Sequence, residues 1–149
     1  MKFLNNREAK KVLKAIEEHW SCDLAGLLKE YAFLITDKEK LYMFRRSAFD
    51  VQVQSPAKVI GMYVASLRDA HVRLSIEGAQ LIAKFASKNI VDIDERQTGA
   101  WIRGQDLIME GDERGFRVVR GGRDVLGCGY LKEGILLNYV PKVRRIHAE

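Results

Sequence analysis

The chain has 149 residues, 47% hydrophobic and 30% charged, with a formal net charge of +5. That length supports one sizeable core or two small units, and the balance of apolar and charged residues excludes a disordered chain. Cys22 and Cys128 stand far apart with no C-x-x-C, which excludes a disulfide framework, disfavours a metal finger and reads as two buried thiols in a reducing compartment.

Asn5 or Asn6 is placed to cap a helix. Ala9, Val12, Leu13, Ile16 and Trp20 then fall on one helical face, with Lys10, Lys11, Lys14, Glu17 and Glu18 on the other. His19 near its end has no metal-binding companion in sequence. A short helical turn is expected within Ser21 to Lys29. Tyr31 to Thr36 and Lys40 to Phe44 read as strands joined by the polar turn Asp37-Lys38-Glu39, a hairpin. A further turn of helix is expected over Ser47 to Asp50, and Val51 to Gln54 alternates as a short strand would. Ser55-Pro56 is the expected boundary, because proline biases the residue before it away from helix.

Val59 to Leu67 reads as a buried strand, with Gly61 marking a bulge or a close backbone approach. Arg68 to His71 turns the chain and Val72 to Leu74 is extended. Ser75 is placed to cap a helix running to about Lys88, and Asn89 to end it in a left-handed conformation. Asn89 to Ile93 is a strand, and Asp94 to Arg103 holds a short helix. Gly104 permits a sharp turn. Asp106 to Met109, Gly115 to Arg120, Asp124 to Leu131 and Ile135 to Asn138 are strands, with Gly121-Gly122 as a tight hairpin turn. From Val59 onward a small mixed barrel with a packed helix is the simplest way to pair so many short strands.

The charge is unevenly spread. Ile90 to Glu113 carries seven acidic residues against two arginines, a balance of −5. Arg114 to Glu149 carries eight basic residues against three acidic ones, a balance of +5. Such polarity predicts an anionic partner on one side. No G-x-S-x-G and no P-loop spacing occurs. Gly127-x-Gly129 lies inside a strand with no helix after it, which is not a dinucleotide fingerprint. Asp92 and Asp94 flank Ile93 but have nothing reactive nearby, so they read as a solvated strand edge. A non-enzyme without a cofactor or a metal is expected. The start of the chain, Met1 to Glu8, has no apolar core of signal length, and Val59 to Leu67 falls far short of the roughly 20 residues that span a bilayer. A cytoplasmic protein with no membrane partner is therefore expected.

Several segments together resemble a family. They are Ile60-Gly61-Met62-Tyr63, Arg73-Leu74-Ser75 with its helix, Trp101 to Leu107, Gly115 to Val119, Leu126 to Gly129, and Leu137 to Arg145. Their order is similar to that of the PUA-like RNA-binding domain at the C-terminus of Sun-family (RsmF-type) RNA cytosine-5 methyltransferases. The two-unit outline is similar to the Nip-type ribosome-biogenesis proteins, in which a short α/β unit precedes a PUA domain. The resemblance implies an α+β chain: a small N-terminal α/β unit over residues 1–55, then a PUA-like mixed β pseudo-barrel with a packed helix over 56–149. Sun-family enzymes carry a cofactor-binding fold with catalytic cysteines ahead of the PUA domain. Only about sixty residues precede it here, so the chain is not expected to be the methyltransferase itself.

The implied function is RNA binding, in tRNA or rRNA modification, rRNA processing or ribosome biogenesis. The implied partners are a tRNA or rRNA and an RNA methyltransferase or pre-ribosomal protein. Binding RNA requires cations for phosphate and flat groups or backbone donors for bases. The candidates are Arg73, Lys84, Arg103, Gly104, Arg120, Arg123, Tyr139, Lys142, Arg144 and Arg145. Arg103 is read as aimed into a helix–barrel cleft, and Pro141 to Arg145 as the phosphate-facing edge. Tyr139 is read either as a stacking platform or as a barrel-closing core residue, and Gly104 as a backbone approach or simply a turn. Arg117 and Arg120, three apart, face opposite sides of a strand, so only one of them joins a given patch. A different class of function is a protein-interaction module whose N-terminal helix and hairpin dock on an enzyme or ribosomal protein.

Overall fold

A computed structural model describes residues 1–47, 61–68 and 71–146. The first helix, α1 (Asn6–Trp20), starts where its cap dictates. The Asn5 side chain accepts from the Glu8 N–H at 2.8 Å, and the Glu8 carboxylate accepts from the Asn5 N–H at 3.3 Å. This reciprocal pair satisfies two N–H groups that a bare helix end leaves open. Ala9, Leu13, Ile16 and Trp20 are buried along its apolar face.

A strand that the sequence reading did not foresee, β1 (Lys2–Leu4), precedes the helix and pairs antiparallel with β2 (Tyr31–Ile35). A short helix, α2 (Leu27–Glu30), leads into β2. The expected hairpin forms between β2 and β3 (Lys40–Arg45), with Phe33 opposite Met43. Next come β4 (Met62–Ser66) and β5 (Arg73–Leu74), and the first sheet has the order β1-β2-β3-β4-β5. The expectation that the strands after Val59 would build a barrel of their own is corrected here, since β4 and β5 extend the N-terminal hairpin. Burial is the reason: Val64, Ala65 and Leu74 share one core with Leu13, Ile16, Trp20 and Leu41. Gly61 marks a close approach, because a Cβ there would strike the Phe44 ring. The expected helical turn through Asp50, the strand Val51 to Gln54, the boundary at Ser55-Pro56, the start of the strand at Val59 and His147 lie outside the described residues, as do residues 69–70.

Ser75 caps α3 (Ile76–Ala83), accepting from the Gly78 N–H at 2.9 Å and donating to the Tyr63 carbonyl at 2.6 Å. The helix is shorter than expected. Beyond it, the N–H groups of Ser87 and Lys88 turn to the Trp20 carbonyl at 3.0 and 3.2 Å, which ties this segment to the end of α1. Asn89 does take the left-handed conformation, at φ 60°. Its side chain donates to the His19 carbonyl at 2.6 Å, and its own carbonyl accepts from the Trp20 indole at 3.3 Å.

The second sheet comprises β6 (Ile90–Ile93), β7 (Leu107–Ile108), β8 (Gly115–Gly121), β9 (Asp124–Lys132) and β10 (Ile135–Asn138) in the order β6-β8-β9-β10-β7. Only β6 and β8 pair parallel; the other pairs are antiparallel. The crossover between β6 and β8 contains α4 (Glu95–Ile102), which Asp94 and Gln97 cap reciprocally. The sheet curls into a half-barrel, and the chain as a whole is α+β.

Each face of the second sheet contributes side chains to a core. Val118 and Cys128 face the core shared with α1 and α3, while Val119, Leu131 and Leu136 pack with Trp101 of α4. Each fully buried Leu or Val contributes roughly 1.5–3 kcal/mol against exposure. The shared core is what holds the two sheets together. Among the described residues, no helix is long and apolar enough to cross a membrane.

Candidate nucleic-acid interface

Antiparallel register places Phe116 of β8 opposite Tyr130 of β9. Their rings meet edge to face, with centroids 4.9 Å apart. Tyr139, just after β10, tilts against the other side of this pair, 5.6 Å from Phe116. The guanidinium of Arg73, on the last strand of the first sheet, lies over the Tyr139 ring at 4.6 Å. A cation at that distance is drawn to the ring's negative face. Tyr139 is half-buried, so it is at once part of the wall and open to a ligand.

A cleft of about 690 Å³ runs along this meeting of the sheets. Phe116, Tyr130, Tyr139 and Pro141 form one wall. Lys38, Lys40, Tyr63, Arg68 and His71 form the other, with Arg73 shared between them. Lys40 sits over the Tyr63 ring at 5.5 Å, and Tyr63 tilts on Tyr42 at 5.4 Å. Burial pushes the Tyr63 phenol up, more than the nearby Arg73 cation lowers it, so it stays neutral. Lys38, Lys40, Arg68 and Arg73 form no ion pair among the described residues. Their charge is available to an anion.

Three of the expected residues converge here. Arg73 and Tyr139 line the cleft, and together with Arg144 they line a narrower hollow of about 120 Å³ beside it. Arg144 donates to the Glu77 carboxylate at 2.8 Å and holds that group below the usual carboxylate range. The remaining expected residues lie elsewhere. Arg120 pairs with Asp92 through two bonds of 2.6 and 3.1 Å. Arg123 projects from the β8–β9 turn, and Lys142 from a short 3-10 turn (Lys142–Arg144). Lys84 lies in a separate groove with Tyr31 and Phe44. Arg103 ends α4 and runs back along that helix toward Gly99. Arg145 folds over Gly104 and donates to the Val140 carbonyl at 3.0 Å. Gly104 therefore accommodates an internal side chain.

Sequence reasoning missed Lys38, Lys40, Tyr63, Arg68, His71, Phe116 and Tyr130. A local signal existed for one of these, since Lys40 lies two residues from the aromatic Tyr42 on one strand. What the sequence hid was the pairing of β3 with β4, whose register shifts between Leu41 and Tyr42 and sets Tyr63 beside Tyr42. Arg117 is buried, and it donates to Glu113 and to the Phe116 carbonyl.

The groups that suggest chemistry are engaged otherwise. Asp92 is paired and Asp94 caps α4. Burial pushes the Cys128 thiol up to about 12, so it is not a nucleophile at neutral pH. No group of three or more potential metal ligands occurs among the described residues.

The chain has no match among curated proteins. Residues 88–146, which carry the second sheet with Phe116, Tyr130 and Tyr139, match the family described as the methyltransferase RsmF PUA domain, and this part of the chain thereby resembles a domain type that binds RNA.

Proposed function

We propose that this protein is a non-catalytic RNA-binding protein that grips RNA in the cleft between its two sheets. The observation that carries this reading is the convergence on the Phe116–Tyr130–Tyr139 cluster of four cations, Lys38, Lys40, Arg68 and Arg73, that form no ion pair among the described residues. Cations supply phosphate affinity and aromatic rings supply base contacts, and a nucleic-acid site needs both. The RsmF-type match over residues 88–146 supports RNA as the nucleic acid. The setting we favour is tRNA or rRNA modification or ribosome biogenesis in the cytoplasm. In that setting the protein would deliver RNA to an RNA methyltransferase or a pre-ribosomal protein.

The test is titration of the full chain with tRNA and rRNA fragments at low and rising salt. Binding should weaken linearly in log salt, by roughly 0.7–0.9 per neutralised phosphate. Absence of binding at low salt would overturn the reading.

A protein-docking role is favoured by a different face. Ile108 and Ile135 are cross-strand partners at the β7 edge, 87% and 41% exposed. Ile108→Ser should weaken capture of a methyltransferase or pre-ribosomal protein without changing RNA affinity. If it leaves capture unchanged, that face is not the docking site.

A further inference from the structure

We infer that the cleft selects unpaired RNA over duplex, holding bases on the Arg73–Tyr139 stack and its neighbouring rings while the backbone follows the cations of the first sheet. This rests on the RNA-binding reading above and narrows it to a substrate class.

The size of the cleft is the first ground. About 690 Å³ is the volume of a small-molecule pocket. That is room for one or two splayed nucleotides. In an A-form duplex the base faces are stacked on each other and out of reach, so an aromatic wall has nothing to bind.

Ring geometry is the second. Phe116 meets Tyr130 at 74° and Tyr139 at 52°. Neither contact is a parallel stack, so no two rings cover each other face to face. The Arg73 guanidinium carbon lies over the Tyr139 ring at 4.6 Å, and Arg73 is itself an exposed residue lining the cleft. A base laid on the far side of that guanidinium would extend the Tyr139–Arg73 stack by one layer, as guanidinium planes do with unstacked bases.

The distribution of charge is the third. A duplex surface needs a broad field of cations, yet the arginines of the second sheet and its C-terminal turn are largely neutralised. Arg114 pairs with Glu133, Arg117 with Glu113, Arg120 with Asp92 and Arg144 with Glu77. The cations left at the cleft sit mainly on the first sheet, at Lys38, Lys40 and Arg68. That pattern fits a few phosphates along one rim with bases turned toward the aromatic wall.

The experiment compares a labelled unpaired oligoribonucleotide with the same strand annealed to its complement, by fluorescence anisotropy on the full chain. The unpaired strand should bind more tightly by roughly five- to a hundred-fold, the scale of stacking one base on an aromatic or guanidinium platform. Arg73→Lys keeps the charge and removes the plane, and its exposed position keeps the fold out of the result. It should cost the unpaired strand most of that advantage while leaving its salt slope and the duplex affinity as they were. Tyr139→Leu should act in the same direction. If the duplex binds as tightly as the unpaired strand, or if Arg73→Lys has no effect, the inference is overturned while RNA binding stands. If neither RNA binds at low salt, the RNA-binding reading falls and the inference falls with it.

Discussion

Arg120 and Asp92 face each other across the parallel β6–β8 pair and close a two-point ion pair, Nε to Oδ1 at 2.6 Å and Nη2 to Oδ2 at 3.1 Å. The Arg120 guanidinium holds the Asp92 carboxyl below its ordinary value of 3.8. A carboxylate with a depressed pKa stabilises the fold fully above its ordinary value, and that contribution fades as pH falls through the folded one. Because both side chains are partly solvated, Arg120→Ala should destabilise by about 0.5–1 kcal/mol at neutral pH. The difference from the parent should vanish in strong acid, where Asp92 is protonated. Thermal melts at neutral pH and near pH 2 check this, and RNA affinity should not change.

Gly104 and Arg145 form a second structural pair. Gly104 has φ +93°, and a Cβ there would fall inside the Arg145 side chain. Gly104→Ala therefore combines backbone strain with displacement of the terminal segment. A loss of about 1–3 kcal/mol is expected in denaturant unfolding. The Ile146 N–H, which donates to Ile102 at 2.8 Å, should lose protection in hydrogen exchange.

Gly78 sits in the first turn of α3, where a Cβ would collide with the Val64 carbonyl of β4. Helix propensity alone favours alanine by up to about 1 kcal/mol. The collision involves backbone, which does not yield easily, and overpacking of this kind costs about 1–3 kcal/mol. Gly78→Ala should thus be destabilising despite its better propensity. A rise in the denaturant midpoint would show that α3 is free to move off the sheet.

The cleft cations should differ from the paired arginines in their effect on RNA. Replacing Lys40 and Arg68 together with Ala should lower the salt slope of RNA binding by about 1.5, from roughly 0.7–0.9 per contact. Arg144→Ala, which releases the Glu77 carboxylate, should leave that slope unchanged. Equal effects from both variants would place the phosphate path on the C-terminal turn instead.

Much of the fold was legible because it is written locally. Asn5, Ser75 and Asn89 adopt the conformations their side chains favour, and the Tyr31–Phe44 hairpin follows from its strand composition and its polar turn. Strand β1 was not legible, since Lys2-Phe3-Leu4 is a strand only because β2 lies beside it. The union of β4 and β5 with the N-terminal hairpin was hidden for the same reason: nothing local says which sheet a buried strand will join. The site followed this division. Arg73 and Tyr139 were found from residue type, but the partners that make them a site come from two sheets and meet only through the shared core. Arg120, Arg144 and Arg145 looked like phosphate ligands because a sequence shows charge without its pairing. Asp92, Glu77 and the Val140 carbonyl engage them in the fold.

The claim that RNA lies between the two sheets is tested most directly by photocrosslinking. A bound RNA containing a photoactivatable uridine is irradiated, and the modified peptides are mapped by mass spectrometry. The account predicts crosslinks at Tyr63 of the first sheet and at Phe116, Tyr130 or Tyr139 of the second. Crosslinks confined to the β8–β9 turn at Arg123 or to Lys142–Arg145, with none on the first sheet, would contradict it.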